Sequence, residues 1–223
     1  MSRTLALLHT TPVTVGSMTE LAGRLGPDTR VINFLDDSLL ADAIRAGQVT
    51  DAIRERLAGL VGLAETAGAD AVLCCCSSVG EAAEAAAKGA KVPVLRIDAP
   101  MAETAATTAH RVGVLATVGT TLEPTAALIR RFADMHGREV DVEPVLVPGA
   151  YDALKAGRPE EHDRLVTAAL QELLGRVDAV VLAQASMARL VANLKEAPAV
   201  PVYSSPESGL RAALQRLKEG SRA

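Results

Sequence analysis

The chain repeats itself, and that constrains its fold more than any other feature. Asp70-Ala71-Val72-Leu73 returns as Asp178-Ala179-Val180-Val181, and Pro93-Val94 returns as Pro201-Val202. Arg3-Thr4-Leu5-Ala6-Leu7-Leu8 resembles Arg111-Val112-Gly113-Val114-Leu115-Ala116, and all three matches share one offset in numbering, 108. Each match alone is weak, because apolar strands resemble one another by chance. Three in the same order at one offset point to a duplication. A chain of 223 residues, 49% of them hydrophobic, can supply two such halves with a core each. The expected division is a first lobe of residues 1–97 plus 206–223 and a second lobe of residues 98–205.

Within each half, short apolar runs alternate with longer Ala/Leu/Glu/Arg segments of helical spacing. The candidate strands are Thr4–Leu8, Arg30–Phe34, Ala71–Cys75, Val92–Arg96, Val112–Ala116, Val142–Val147, Ala179–Ala183 and Val200–Tyr203. Candidate helices include Thr50–Ala67, Glu81–Lys88, Thr125–Met135 and His162–Leu174. Strands that are apolar throughout and separated by helices belong to parallel sheets covered on both faces. The fold class is therefore α/β, with two pseudo-symmetric lobes, each a parallel-type sheet flanked by helices. Open α/β sheets bind ligands at the carboxyl ends of their strands, so the active site is expected in a cleft between the lobes.

Those strand ends are rich in small hydroxyls. In the first half they read His9-Thr10-Thr11-Pro12 and Cys76-Ser77-Ser78-Val79-Gly80. In the second they read Thr117-Val118-Gly119-Thr120-Thr121 and Gln184-Ala185-Ser186-Met187. Such a collection suits a carboxylate better than a phosphate or a metal. The chain has no Walker loop, no GxGxxG after a strand and no His/Cys cluster with zinc spacing, so no metal and no cofactor is expected. Twenty-three Lys and Arg against 27 Asp and Glu leave a net charge of −4 without a basic stripe, and aromatic residues are 2% of the chain. Neither nucleic acid nor an anionic membrane is an expected partner. No run reaches the roughly 18 apolar residues of a membrane span, and the apolar stretch after Met1 is too short for a signal peptide. Three contiguous cysteines, Cys74 to Cys76, cannot form a disulfide framework. The chain reads as cytoplasmic.

Three of these segments carry a family resemblance. Asp70 to Ser78 (Asp-Ala-Val-Leu-Cys-Cys-Cys-Ser-Ser) is similar to the strand-then-Cys motif of the aspartate/glutamate/hydantoin racemase superfamily. Val112 to Thr120 resembles that family's central strand and carboxylate-binding turn, and Val180 to Met187 its second catalytic motif. The resemblance spans nearly the whole chain. It implies two α/β lobes and cofactor-independent proton transfer at a carbon next to a carboxylate. It also implies a small carboxylic-acid substrate. Dimers are common in the family, so a homo-oligomer is compatible with the resemblance.

The resemblance puts Cys76, the residue leaving its strand, at the first catalytic cysteine, with Cys74 and Cys75 still inside the strand as small buried hydrophobes. Ser78-Val79-Gly80-Glu81 fits a capping box, and the helix it would start lowers the pKa of a thiol at its N-terminus. Ser77 and Ser78 are then either carboxylate ligands or simple caps. At the offset of the repeat Cys76 corresponds to Gln184, where typical members have their second cysteine. An amide neither takes nor gives a proton at neutral pH, although it can hydrogen-bond a substrate oxygen.

One thiol can be used in three ways. His9 can serve as the second base, or it can be a loop histidine orienting the backbone. Cys76 can add to an unsaturated diacid and allow rotation, as in the related maleate isomerases. It can also protonate an enediolate after loss of carbon dioxide from a malonate-like acid, as in the related arylmalonate decarboxylases. Thr10, Thr11, Thr117, Thr120 and Ser186 are the oxyanion donors in each version, with Gln184 beside them on the substrate. Thr120 and Thr121 have a second reading, as the start of a helix ahead of Pro124. Asp36 and Asp37 read most simply as an N-cap pair. The expected activity is that of an isomerase of the racemase superfamily. The alternatives are a decarboxylase and a non-catalytic carboxylate-binding protein of the same fold.

Overall fold

A computed structural model of the chain describes residues 3–192 and 197–220. The chain divides into two compact units, Met1–Pro100 with Pro206–Ala223, and Met101–Ser205. The first unit runs β1 (Thr4–His9), α1 (Val15–Leu25), β2 (Arg30–Leu35), α2 (Ser38–Ala46), α3 (Asp51–Thr66), β3 (Ala71–Cys74), α4 (Gly80–Ala87) and β4 (Val94–Arg96). After α5 (Ala99–Thr108) the second runs β5 (Arg111–Ala116), α6 (Gly119–Met135), β6 (Asp141–Leu146), α7 (Ala150–Lys155), α8 (Pro159–Leu174), β7 (Ala179–Leu182), α9 (Ala188–Ala192) and β8 (Val202–Ser204). The helix α10 (Ser205–Glu219) returns to the first unit, where Gly209 lies against Ile97 and Leu214 against Gly26.

Each unit is built on a four-stranded, all-parallel sheet, in the orders β2-β1-β3-β4 and β6-β5-β7-β8. The two central strands of each sheet are covered on both faces, which is why β1, β3 and β7 are buried along their full length. Leu8, Leu57, Val72 and Val79 belong to the core on one face of the first sheet. In the second unit, Val114, Ile129 and Val181 pack in one cluster and Leu115, Leu170 and Val180 in another. β4 and β8 begin two residues later than the hydrophobic runs suggest, at Val94 and Val202, because Pro93 and Pro201 have no N–H to give to a ladder.

The duplication is closer than the sequence matches convey, and it contains one slip. Val72 pairs with Val94 as Val180 pairs with Val202, so β3 and β4 map onto β7 and β8 at an offset of 108. Leu5 pairs with Ala71, whereas Val112 pairs with Ala179, so β1 maps onto β5 at an offset of 107. Arg3 therefore corresponds to His110 rather than to Arg111, as the matching bonds of Arg30 N–H to Arg3 C=O and Asp141 N–H to His110 C=O show. Aspartates anchor both starts: an Asp70 oxygen accepts the Thr4 N–H at 2.7 Å, and an Asp178 oxygen the Arg111 N–H at 2.8 Å.

Two local expectations change. Helix α6 starts at Gly119, earlier than the segment Thr125–Met135 suggests, so Thr120 and Thr121 do begin a helix ahead of Pro124, and the helix runs through Pro124 at the cost of the backbone bond that Pro124 cannot donate. Asp37 occupies the N-cap of α2 without a side-chain bond. Asp36 instead accepts the Ser38 N–H and hydroxyl and pairs with Arg56, which also reaches Asp42.

Asp70→Ala leaves the first N–H of β1 unpaired and removes the Arg3 ion pair. It is expected to lower stability by about 1–2 kcal/mol in urea titration, with the m-value unchanged.

Candidate active site

In the first unit the site grows from the end of the β1–β3 ladder. The Cys75 N–H bonds the Leu8 carbonyl at 2.8 Å as the last rung. The next residue, Cys76, is still extended (φ −138°, ψ 117°) and caps a short 3-10 turn, Ser77–Val79, that leads into α4. Cys76 is half-buried, while Ser77 and Ser78 are buried. Cys74 and Cys75 stay in the interior, where their thiols donate to the Cys76 and Leu73 carbonyls. Burial pushes the Cys74 thiol up to about 12 and the Cys75 thiol well above its ordinary value. Both are inert at neutral pH.

Cys76 differs from its neighbours in the number of donors turned on its sulfur: Cys74 meets one backbone N–H, whereas Cys76 meets two N–H groups and two hydroxyls. Burial raises its pKa, and this outweighs an opposing pull from the Thr10 hydroxyl, the Ser78 and Val79 N–H groups and the Ser78 hydroxyl. The expected thiolate is thus corrected: desolvation wins, and the resting group is the protonated thiol. The expected capping box is absent as well. A 3-10 turn intervenes, Val79 becomes the N-cap of α4, and no side chain caps it. The backbone donors it leaves over are those that face sulfur. Thr10 Oγ is buried without a hydrogen-bond partner of ordinary geometry, and Cys76 is the group it faces.

His9, the last residue of β1, is buried with both ring nitrogens engaged. Nδ1 lies 3.2 Å from Thr14 Oγ and Nε2 3.0 Å from Asn33 Oδ1. A neutral ring donates from Nε2 and accepts at Nδ1, leaving no lone pair for a substrate. Burial lowers its pKa, with the Asn33 bond opposing. Both bonds go to side chains, and they tie the end of β1 to the turn before α1 and to β2. Thr11 is half-buried and caps the Pro12–Thr14 turn, accepting the Val13 N–H at 3.4 Å.

In the second unit Gln184 follows β7 as Cys76 follows β3. Its Oε1 accepts the Thr117 N–H at 2.6 Å and the Thr117 hydroxyl at 2.9 Å. The backbone N–H fixes the amide's orientation, because only oxygen can face a donor. The amino group of Gln184 is left over, with two N–H donors and no partner among the described residues. Thr117 corresponds to Thr10 at the offset that relates β1 to β5, so equivalent threonines attend Cys76 and Gln184. A single offset for the whole repeat pairs Thr117 with His9 instead, and hides this. Ser186 is half-buried in the turn Ala185–Met187. Thr120 lies in the first turn of α6, its Oγ buried without a partner.

Arg96, Asp98 and Glu84 are charged residues beside this site that no sequence motif singles out. Arg96 is bidentate to Asp98, at 2.7 and 2.9 Å, and reaches Glu84 at 3.4 Å, with Arg96 and Asp98 both buried. The available signal is Arg96-Ile97-Asp98 at a strand end, where residues two apart share a face. Among the described residues, no three His, Cys, Asp or Glu side chains form a group able to hold a metal ion, and no helix is long and apolar enough to cross a membrane.

A duplicated parallel α/β chain with a donor-ringed cysteine at one strand end defines a class to which known proteins can be compared. Residues 8–213 match the Asp/Glu/Hydantoin racemase family, and the chain belongs to that family. Its fold is shared by an aspartate racemase from Picrophilus torridus (TM-score 0.71, 13% identity, covering 97% of this chain and 95% of that one). It is also shared by a glutamate racemase isoform from Bacillus anthracis (TM-score 0.75, 16% identity, 98% and 82% coverage). An allantoin racemase from Klebsiella pneumoniae aligns with a TM-score of 0.68 at 16% identity, covering 98% and 89%. No curated protein is significantly similar in sequence.

Because the folded state disfavours the charged form of His9, an unfolded chain binds more protons just below pH 6.5, and stability rises with pH across that window. His9→Gln, which cannot titrate, is expected to flatten this slope in Tm measured against pH.

Proposed function

We propose that the protein is a cofactor-independent enzyme of the racemase/isomerase type, acting at the carbon next to the carboxylate of a small amino, hydroxy or dicarboxylic acid. The observation that carries this reading is the set of donors on Cys76: the Thr10 hydroxyl and the Ser78 and Val79 N–H groups oppose the burial of its sulfur. A cysteine that serves only as a core residue needs no such donors. Once water takes the thiol proton, these donors hold the negative charge on sulfur, so the thiolate can remove the α-proton and the resulting S–H can return it within one turnover. Cys76 is the proton-transferring group in this reading. Ser77, Thr120 and Ser186 offer hydroxyl donors to the substrate, with Thr11 shaping the turn beside Thr10; the Thr10 and Ser78 hydroxyls face the Cys76 sulfur, and Thr117 holds Gln184 in place. The Gln184 amino group donates to a substrate oxygen without moving a proton. His9, bonded on both nitrogens to Thr14 and Asn33, is assigned to holding the end of β1 and not to proton transfer.

A second reading is favoured by one observation, that burial keeps the resting Cys76 protonated. A protonated thiol is ready to deliver a proton rather than to take one. In that reading a malonate-like acid breaks its bond to one carboxylate, carbon dioxide leaves, and the electron pair becomes an enediolate. The Cys76 S–H then protonates its carbon, and the thiolate regains a proton from water.

The test is a panel of small carboxylic acids in deuterium oxide. Deuterium at the α-carbon with the carbon skeleton intact is the expected result. Deuterated product with release of carbon dioxide identifies the decarboxylase instead. Binding without either outcome marks a carboxylate-binding protein and contradicts both enzyme readings. Cys76→Ala is expected to lower the rate by about 10²–10⁴-fold, the range of a single acid/base group. Cys74→Ala is expected to cost about 0.5–3 kcal/mol of stability with turnover retained.

Gln184→Cys adds a second thiol, a proton donor that an amide cannot be. It is expected to give α-proton exchange with inversion of a small amino or hydroxy acid that the parent binds but does not racemise, followed by chiral chromatography. Exchange with retention shows that only one face is served.

A further inference from the structure

The buried ion pair beside the thiol has no counterpart in the other half of the duplication. Arg96 pairs in register with Cys74 across β3 and β4, and its guanidinium extends under the first turn of α4. A Cβ placed on Gly80 would collide with the guanidinium carbon, so the planar group rests against the Gly80 backbone, and any larger residue there has to displace it. Asp98 grips it from below with two bonds, and Glu84, one turn along α4 from Gly80, takes the remaining nitrogen at 3.4 Å. Gly80 directly follows Val79, whose N–H, with that of Ser78, faces the Cys76 sulfur.

At the offset that relates β3 and β4 to β7 and β8, the positions of Gly80, Arg96 and Asp98 are taken by Ala188, Ser204 and Pro206. The same sheet, turn and helix thus form in the second unit without the pair. Burying two charges is costly, and apolar replacements often serve stability as well or better. The fold alone does not call for Arg96 and Asp98. They occur in the half that carries a cysteine at the strand end.

We infer that Arg96, clamped by Asp98 and Glu84 against Gly80, is a positioning residue that holds the Ser77–Val79 turn and the start of α4 so that the backbone N–H groups stay aimed at Cys76. The inference rests on Cys76 being the reacting group. Its test reads the thiol itself, without substrate, so a failure here is distinct from a failure of the proposed function. Asp98 and Arg96 pull the neighbouring Cys74 thiol in opposite directions, so the field of the pair works against itself. The contribution of the guanidinium is geometric. The titratable groups next to Cys76 are Cys74 and Cys75, both protonated at neutral pH.

The experiment measures the rate of alkylation of Cys76 by iodoacetamide against pH, located by tandem mass spectrometry, in the full chain and two variants. Arg96→Met/Asp98→Asn removes both charges while keeping volume, so that no unpaired charge is buried. Gly80→Ala keeps both charges and displaces the guanidinium, and alanine favours a helix. In both variants the titration midpoint of Cys76 is expected to move up, and its alkylation rate at neutral pH to fall about fivefold to tenfold, the scale of a weakened bond to a charged group. A merely structural role lowers Tm without moving that profile. A folded variant of either kind whose Cys76 keeps the parental pH profile overturns the inference. Where the double variant does not fold, Gly80→Ala decides.

Discussion

Two backbone rungs set the rest of the molecule: Cys75 N–H to Leu8 C=O at 2.8 Å and Ala183 N–H to Leu115 C=O at 2.9 Å. Each closes the ladder between the two central strands of a parallel sheet. One residue beyond each rung the chain must leave the sheet, because the helix that follows has to return across its face. That residue is Cys76 in one unit and Gln184 in the other, both extended and both capping a 3-10 turn. The turn directs backbone N–H groups at the first, and an equivalent threonine attends each. The site is a consequence of where parallel ladders end.

Given that placement, the proposed chemistry turns on a contest at one sulfur. Burial favours the neutral thiol, and hydroxyl and backbone donors favour the thiolate. Burial prevails at rest, yet the donors already stand where charge develops. Cys75 and Cys74, one and two residues earlier, share the burial without the hydroxyl donors; Cys74 meets one backbone N–H, that of Cys76, and both thiols are bound to carbonyl oxygens. Gln184 resolves the equivalent position differently. Its carbonyl oxygen is consumed by Thr117, so it offers donors and no exchangeable acid or base.

Much of this was legible in the sequence, because the relevant signals are local. Apolar runs marked the eight strands, interrupted by polar residues in the edge strands β2 and β6, and the duplication located their ends. The cysteine that leaves the sheet could be told from the two buried ones before it by counting. What was not legible depends on partners far along the chain. His9 is locked by Thr14 and by Asn33 on the edge strand β2, so its engagement on both nitrogens cannot be read from His9-Thr10-Thr11. The residue by which β1–β5 and β3–β7 differ in spacing is absorbed between strands, where no motif records it. Arg96 and Asp98 are ordinary surface residues by type, and only the closed sheet puts them under α4. The sign of the Cys76 shift follows from the depth of burial, which composition does not report.

The central claim is that one thiol of three is built to react. Its most direct test is limited alkylation of the native protein with a single equivalent of iodoacetamide, followed by tandem mass spectrometry of the peptide carrying residues 74–76. The account predicts that the label is found on Cys76, with Cys74 and Cys75 labelled only after unfolding. Label shared evenly among the three cysteines in the native protein, or found first on Cys74 or Cys75, would contradict it.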